Sequence, residues 1–374
     1  MLTVINIVGT RPEAIKMAPV IKELEKYPKD IRSLVCVTGQ HRQMLDQVLN
    51  LFKIQPDYDL NIMQIDQDLS QLTASLFTEL NSVIKESKPD WVLSQGDTTT
   101  VMVSSLVAFY NKIHFGHVEA GLRTGNQFNQ FPEEVNRRIA DSLSELFFAP
   151  TNDSRGALIR EGYPKEKILV TGNTVIDALL TISDLPYNWF SGPLSHISTK
   201  KRIVLITAHR RESFGKSLKE ICLAVRKLAL QFQNEGVQFV YPVHLNPNVY
   251  KPVKEILTGI SNIHLIEPLD YLSFVHLMKR STLILTDSGG IQEEAPSLGV
   301  PVLVMRETTE RPEGIHTGVV QLIGTNCDRI IMKASELLHD RLLLETMAKK
   351  TNPYGDGKAA KRIVAVLLER SNSK

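Results

Sequence analysis

The sequence predicts an α/β protein with two Rossmann-like domains that face a central cleft, and three observations support this. The chain has 374 residues, and at about 150 residues per domain two domains are the default expectation. Short apolar runs rich in β-branched residues alternate with segments of helical period, as in parallel sheets covered by helices on both faces. Residues 184–202, between two sets of such runs, contain two prolines and a glycine without clear periodicity and are interpreted as a linker.

The apolar runs give the predicted strands of each domain. The first domain is predicted over residues 1–183 and the second over residues 203–353. The strands predicted in the first are Val4–Val8, Leu34–Val37, Trp91–Ser94, His114–Val118, Leu146–Phe148 and Ile168–Val170. Those in the second are Ile203–Thr207, Gln238–Val243, Ile263–Ile266, Leu283–Thr286, Val302–Met305 and Val319–Leu322. In open α/β sheets ligands bind beyond the carboxyl ends of the strands, so polar residues there are candidate site residues.

Composition excludes several classes of protein. Lys and Arg number 43 and Asp and Glu 41, so a net charge of +2 gives no general attraction to nucleic acid or anionic membranes. No apolar run is long enough to span a bilayer and the N-terminus lacks the features of a secretory signal, so we expect a cytoplasmic protein. The three cysteines, Cys36, Cys222 and Cys327, lie far apart without metal-ligand spacing, which predicts buried thiols and no metal site.

The first motif, Gly9–Lys16, directly follows the first strand. Gly9 permits a tight turn, and a helix N-terminus flanked by Arg11 and Lys16 suits a diphosphate. The motif is neither a dinucleotide fingerprint nor a P-loop, because no second glycine follows at the required distance. An ordinary turn with two solvated cations remains the alternative. Pro19 is expected to kink or shorten the helix that follows.

Carboxylates follow two further strands of the first half. Asp97 follows the third strand, where it or a neighbouring threonine could cap the next helix. Glu119 follows the fourth strand, and Pro132 is predicted to begin a helix. In that helix the 133/137 and 134/138 pairs have i,i+4 spacing, worth about 0.3–0.5 kcal/mol as exposed salt bridges. Carboxylates from three elements could converge at one site for acid/base chemistry.

Basic residues follow the first strand of the second half. His209, Arg210 and Arg211 could bind a phosphate and stabilise charge on a leaving group, or form only a basic loop between domains. His244 lies in a proline-flanked loop after the next strand, where a structural role and a ligand contact are equally plausible.

The most specific motif is the segment Thr286–Ala295. A strand runs into Ser288, Gly289 and Gly290 and then into a helix whose first amides can bind a phosphate. Glu294 lies about one turn into that helix, where it could accept hydrogen bonds from ribose hydroxyls. The loop after the next strand adds Arg311.

These motifs together resemble the non-hydrolysing UDP-N-acetylglucosamine 2-epimerases of bacteria. The resemblance runs from Gly9 to about Ala360, nearly the whole chain. The motifs that carry it, in chain order, are GTRPEAIKMAP, TGQHRQMLDQVL, GDTTT, HVEAGLRTG, PEEVNRR, VTGNTVIDALL, HRRESFG, YPVHLNPNV, DSGGIQEEAPSLG, TERPEG and NPYGDGKAA.

The resemblance implies a GT-B type fold, as in the two-domain glycosyltransferases, a homodimer, and a C-terminal helix (354–374) that joins the first domain. The implied reaction is reversible inversion at C2 between UDP-GlcNAc and UDP-ManNAc. It proceeds by anti elimination of UDP to 2-acetamidoglucal and re-addition, without NAD or a metal, and its product would serve envelope polysaccharide synthesis. The implied partners are these nucleotide sugars only, with no nucleic acid and no membrane.

The resemblance also implies roles for individual residues. The implied catalytic residues are Asp97, Glu119, Glu133, His209, Lys16 and Arg137. The implied residues for binding the UDP-sugar are Arg11, Lys16, Asp97, Glu119, His209, Phe274, Ser288, Gly289, Gly290, Glu294 and Arg311. Some relatives bind a second UDP-GlcNAc as an activator, which here would involve Gln40, His41 and Gln43. The accompanying arginine is missing from residues 63–69, so activation is not expected.

Two other classes of function stay open on the sequence alone. The same fold could serve a glycosyltransferase, or a hydrolysing epimerase that releases ManNAc and UDP. A non-catalytic nucleotide-sugar sensor would keep the DSGG motif and Glu294 but could dispense with Asp97, Glu119 and Glu133.

Overall fold

The computed structural model of the chain describes residues 1–39, 42–63, 66–128, 131–309 and 311–371. These fold as two compact units, the first formed by Met1–Ala178 with the residues from Tyr354 onward and the second by Leu179–Pro353. The segment 184–202 packs within the second unit. There Leu194 and Ile197 are buried, and the amide of Gln238 donates to the carbonyl of Ser198.

The first unit contains a parallel sheet of seven strands in the order β3-β2-β1-β4-β5-β6-β7. Its strands are β1 (Leu2–Val8), β2 (Ile31–Val37), β3 (Tyr58–Asp59), β4 (Trp91–Gln95), β5 (His114–Val118), β6 (Leu146–Ala149) and β7 (Ile168–Val170). Its helices are α1 (Arg11–Leu24), α2 (Arg42–Leu51), α3 (Leu69–Ser87), α4 (Thr99–Tyr110), α5 (Glu133–Ser142), α6 (Asn152–Arg160), α7 (Thr174–Ser183), whose last turn lies in the second unit, and α15 (Ala359–Ser371).

The second unit contains a parallel sheet of six strands in the order β10-β9-β8-β11-β12-β13. Its strands are β8 (Arg202–Thr207), β9 (Val237–Pro242), β10 (Ile263–Ile266), β11 (Leu283–Thr286), β12 (Val302–Val304) and β13 (Val320–Leu322). Its helices are α8 (Lys216–Gln231), α9 (Pro247–Leu257), α10 (Tyr271–Arg280), α11 (Gly289–Glu294), α12 (Pro312–Thr317), α13 (Cys327–His339) and α14 (Arg341–Ala348).

The predicted strands form as expected, because their runs of Val, Ile and Leu are buried in the cores on the two faces of each sheet. The predicted shortening of the first helix at Pro19 does not occur. Helix α1 continues through Pro19 to Leu24, and the buried side chains of Ala18, Ile21 and Leu24 hold its second half against the sheet. Tertiary packing therefore outweighs the local cost of the proline.

The chain returns to the first unit through α15. Asp177 of α7 accepts hydrogen bonds from the backbone amides of Ala359 and Ala360, so its carboxylate caps the N-terminus of α15. Arg362 donates to the carbonyl of Thr171 at 2.9 Å.

Among the residues described, no helix is long and apolar enough to cross a membrane.

Candidate functional site

In each unit the candidate residues follow the two strands at which the strand order reverses. In the first unit β1 and β4 are neighbours, and Gly9 and Asp97 follow them. In the second unit β8 and β11 are neighbours, and His209 and Ser288 follow them. Helices leave to opposite faces of the sheet at such a point, which opens a crevice at the carboxyl ends of the strands where ligands bind.

Asp97 of the first unit pairs with Arg137. Nη2 of Arg137 lies 2.5 Å from Oδ2 of Asp97, and Asn136 donates to the Asp97 carbonyl at 3.0 Å. The cap of α4 is Thr98, whose hydroxyl accepts from the amide of Val101, so of the two expected caps the threonine is correct. Asp97 is left to interact through its side chain.

Glu134 beside this pair departs from the expected exposed salt bridge. It is fully buried and accepts from Arg137 at 3.1 Å and from the backbone amide of Thr124 at 2.9 Å. Burial opposes the charge of Glu134. Its hydrogen bonds from Thr124 and the nearby positive charges of Arg137 and Arg138 nevertheless lower its pKa. Glu134 therefore holds the guanidinium of Arg137 in place, while Glu133 lies half-buried at the first position of α5.

Glu119 at the end of β5 pairs with Lys16 of α1. Nζ of Lys16 lies 2.5 Å from Oε2 of Glu119, and only 14% and 7% of the two side chains are exposed. Glu119 has a φ of 67°, in the left-handed region that is uncommon for residues other than glycine. Such backbone conformations are frequent at functional sites, where surrounding contacts hold them. Two carboxylates, each paired with a cation, thus follow neighbouring strands.

Glu13 is another buried carboxyl group of the first unit, and no role was predicted for it. Its Oε2 accepts from the backbone amides of Gly9 at 2.5 Å and Thr10 at 3.2 Å, while the hydroxyl of Thr10 accepts from the Glu13 amide. Burial raises the pKa of Glu13 to about 7. The T-x-x-E spacing of a capping box before an apolar helix could have indicated this residue. It fixes the start of α1, where Arg11 is the first residue and half-buried.

In the second unit Asp287 holds the loop that carries His209. Its Oδ2 accepts from the backbone amides of His209 and Arg210, both at 2.9 Å. The ring of His209 stacks on that of His244 with centroids 5.5 Å apart. Desolvation of the ring, with repulsion from His244 and Arg210, lowers the pKa of His209. The imidazole is therefore neutral at pH 7 and can accept a proton.

The two arginines that follow His209 differ in their surroundings. Arg210 lies 3.5 Å from Glu212, which also pairs with Arg306 at 2.9 Å. Arg211 is exposed. Arg210 is therefore already paired with a carboxylate, and His209 is the main candidate for a phosphate contact in this loop.

The DSGG segment forms the turn that the sequence predicts. Gly289 and Gly290 are the first residues of α11, and Glu294 is its last, after which the chain continues as a short 3-10 helix. The hydroxyl of Tyr271 donates to Oε2 of Glu294 at 3.2 Å, a positioning contact that the sequence did not reveal. Phe274 is half-buried in the same helix as Tyr271.

Arg311 belongs to the second unit and pairs with Glu293. Nε of Arg311 lies 2.5 Å from Oε1 of Glu293, whose side chain is 3% exposed. The preceding Glu310 lies outside the described residues, as do Gln40 and His41, and Gln43 lies in α2 with its side chain outside them. Within the described ranges no cluster of His, Cys, Asp and Glu could hold a metal ion.

Two Rossmann-like units, each built on a parallel sheet with charged side chains where its strand order reverses, are the architecture of the GT-B fold class. Comparison with known proteins gives the family. The profile described as UDP-N-acetylglucosamine 2-epimerase matches residues 22–368. The UDP-N-acetylglucosamine 2-epimerase of Salmonella typhimurium is 54% identical over 372 residues, which cover 98% of each chain.

Solved structures agree with the sequence comparison. The Neisseria meningitidis UDP-GlcNAc 2-epimerase bound to UDP-GlcNAc is 49% identical with a TM-score of 0.88, over 98% of this chain and 100% of that one. The Methanocaldococcus jannaschii enzyme in complex with UDP-GlcNAc and UDP is 34% identical with a TM-score of 0.80, over 98% and 100%. This chain belongs to the UDP-N-acetylglucosamine 2-epimerase family, of the bacterial non-hydrolysing type, and is an isomerase. The family and fold class predicted from the motifs are confirmed.

Proposed function

We propose that this chain interconverts UDP-GlcNAc and UDP-ManNAc by eliminating UDP and adding it back after C2 has been protonated on the other face. The observation that carries the proposal is the pair of carboxylates Asp97 and Glu119, which follow neighbouring strands and are each held 2.5 Å from a cation. Acid/base chemistry on a sugar ring requires carboxyl groups in fixed positions near the reacting carbon.

The order of bond breaking follows from the chemistry of the sugar. The hydrogen on C2 is not adjacent to a ring carbonyl, so direct removal of the proton is too difficult. When the bond between C1 and the phosphate oxygen breaks, its electron pair leaves with UDP and positive charge develops at C1. The C2 proton then passes to a carboxylate, and the C–H electrons form the C1–C2 double bond. The reverse steps return a proton and UDP, so there is no net oxidation and NAD has no part in the balance.

In the first unit we assign the proton transfers to the set Asp97, Glu119 and Glu133. Lys16 and Arg137 hold the carboxylates of Glu119 and Asp97 in place through these two ion pairs. Arg11 is assigned to the substrate from its place at the start of α1.

In the second unit we assign the residues that bind UDP. The hydroxyl of Ser288 and the amides of Gly289 and Gly290 suit the diphosphate, with His209 beside it, and Arg311 suits phosphate or sugar. His209 starts neutral and can gain a proton as negative charge develops on departing UDP. Glu294, oriented by Tyr271, is assigned to the ribose hydroxyls, and Phe274 to the uracil.

The products formed from UDP-GlcNAc by the purified protein, without added NAD or metal, test the proposal. Proton NMR should show UDP-ManNAc accumulating to a fixed ratio with UDP-GlcNAc, and the same ratio should be reached from UDP-ManNAc. Stoichiometric release of ManNAc and UDP would instead support a hydrolysing enzyme, and turnover only with an acceptor would support a transferase. Binding of UDP without any turnover would support a sensor.

Asp97→Asn separates catalysis from binding. The amide has nearly the shape of the carboxylate but cannot take a proton, so epimerisation should fall at least about 10²-fold. The affinity for UDP, measured by calorimetry, should change little because its proposed contacts lie in the second unit. Glu25→Gln, at an exposed surface carboxylate, is the matched control. Full activity of Asp97→Asn would remove Asp97 from the mechanism.

Three further assignments rest on the family resemblance. We propose that the enzyme is a homodimer, that it works in the cytoplasm, and that its product supplies envelope polysaccharide synthesis. The molar mass of the protein by light scattering tests the first, and the sugar composition of the envelope after deletion of the gene tests the last.

A further inference from the structure

A buried ion network with no assigned role lies beneath the Asp97 turn. His117, near the end of β5, and Asp141, in the last turn of α5, are both fully buried. Nδ1 of His117 lies 2.6 Å from Oδ1 of Asp141, and its Nε2 lies 2.7 Å from the carbonyl oxygen of Gly96. Both ring nitrogens therefore face an acceptor.

These contacts fix the protonation of the ring. A carbonyl oxygen only accepts, so Nε2 must carry a hydrogen, and Nδ1 must carry one too if Asp141 is ionised. Asp141 also accepts from Nη2 of Arg123 at 2.7 Å, which favours the ionised carboxylate. Burial opposes both charges, but Asp141 raises the pKa of His117, and His117 with Arg123 lowers the pKa of Asp141. These contacts favour the imidazolium form of His117, which donates from both ring nitrogens.

The imidazolium joins the elements that carry the proposed acid/base groups. Gly96 has a φ of 89°, and its amide donates to the carbonyl of Val118 at 3.1 Å while its carbonyl accepts from His117. Both polar groups of Gly96 are therefore tied to β5, and Asp97 is the next residue. Asp97 in turn contacts Asn136 and Arg137 of α5, the helix that supplies Asp141. Glu119 lies two residues beyond His117.

We propose that His117 is a positioning residue for the proton transfer at C2, a buried imidazolium that locks the Gly96–Asp97 turn against β5 and α5. The inference rests on the proposed function of Asp97. His117 does not reach the substrate; it acts through the Gly96 carbonyl on the place of the Asp97 carboxylate. Because a catalytic group misplaced by about 1 Å can cost about 10²-fold in rate, the loss of this contact should lower kcat strongly.

Two amide variants separate the two contacts of the ring. The amide nitrogen of Gln extends about as far as Nε2 of His and can donate to Gly96, whereas that of Asn lies near Nδ1 and can reach only Asp141. We expect His117→Asn to lower kcat about 10²-fold with KM and UDP affinity within about threefold, and His117→Gln to retain more of kcat. His114→Gln is the matched control, because His114 lies exposed on the same strand and stacks on Trp91. Equal losses in both variants, or losses that follow the melting temperature and UDP affinity, would overturn the proposal.

A measurement on the unaltered protein decides the matter even if neither variant folds. With histidine labelled by ¹⁵N, His117 should give two ring N–H signals at pH 7, identified by contacts with the ring of Phe115, whose centroid lies 6.2 Å away. A single ring N–H signal would show a neutral ring and overturn the proposal. The epimerisation rate of the wild type is measured in the same series. If the wild type does not epimerise the substrate, the proposed function is refuted. If the wild type is active and His117→Asn has an undiminished kcat, only the role of His117 is refuted.

Discussion

Glu13→Gln is the substitution whose effect on stability follows most directly from the structure. Glu13 is 2% exposed and its Oε2 accepts from two backbone amides at the start of α1. Burial raises its pKa from 4.5 to about 7, with a smaller contribution from the nearby charge of Asp97. Glutamine keeps an oxygen for the two amides but has no proton to lose. Only the wild type should therefore show the pH dependence that belongs to this group.

The size and sign of the effect follow from linkage between protonation and folding. At 1.36 kcal/mol for each pKa unit, a pKa raised from 4.5 to about 7 corresponds to about 3 kcal/mol. Because the folded pKa is raised, the stabilisation is fully present below pH 4.5 and is lost as the pH rises through 7. The free energy of unfolding of the wild type should thus fall by about 3 kcal/mol relative to Glu13→Gln between pH 4.5 and pH 8.

Unfolding of the first unit can be followed on its own. The chain has two tryptophans, Trp91 in the first unit and Trp189 in the second. Urea unfolding in a Trp189→Phe background therefore reports the surroundings of Trp91, which is 3% exposed. Glu25→Gln, which removes an exposed carboxylate just after α1, is the control and should parallel the wild type. If Glu13→Gln also parallels the wild type over this range, the reasoning about Glu13 is wrong.

Three further substitutions test the site. Arg137→Lys keeps the charge but loses the fork that holds Asp97, so steady-state kcat should fall about 10- to 100-fold with UDP affinity unchanged; weaker UDP binding would contradict this. Glu294→Gln should weaken UDP about tenfold by calorimetry but affect 2′-deoxy-UDP less, and equal losses would exclude a ribose contact. Asp287→Ala leaves two loop amides without an acceptor, so the free energy of unfolding should fall by about 1–3 kcal/mol. The affinity for UDP should fall by as much as it does in His209→Ala. Unchanged UDP binding would refute the role of Asp287 in holding His209.

Most of the fold could be predicted from the sequence, because strands of buried parallel sheets are continuous apolar runs. The predicted strands all form, and among the residues that the structure describes the one strand missed, Tyr58–Asp59, has two residues and no apolar run. The helix does not end at Pro19, as the local rule allowed, because its stability comes from its buried face. The lesson is that continuous apolar runs report tertiary burial, whereas a single proline reports only a local preference.

The site could be proposed from the sequence where a charged group follows a strand, as with Asp97 and Glu119, or lies in a helix after a glycine-rich turn, as with Glu294, and these assignments stay predictions. It was not readable where a role depends on contacts between elements distant in sequence. Glu134 has the spacing of a surface salt bridge, but its burial under Thr124 and Arg137 gives it a supporting role. The contacts of His117 join residues 96, 117 and 141, and no local spacing indicates them.

The central claim is that C2 is inverted by removal and return of a proton, and incubation of UDP-GlcNAc with the enzyme in D₂O tests it most directly. The elimination predicts that UDP-ManNAc forms without added NAD and carries deuterium at C2, and that recovered UDP-GlcNAc gains deuterium there as well. If UDP-ManNAc forms with its original hydrogen retained at C2, the account of Asp97, Glu119 and Glu133 as proton-transfer groups is contradicted.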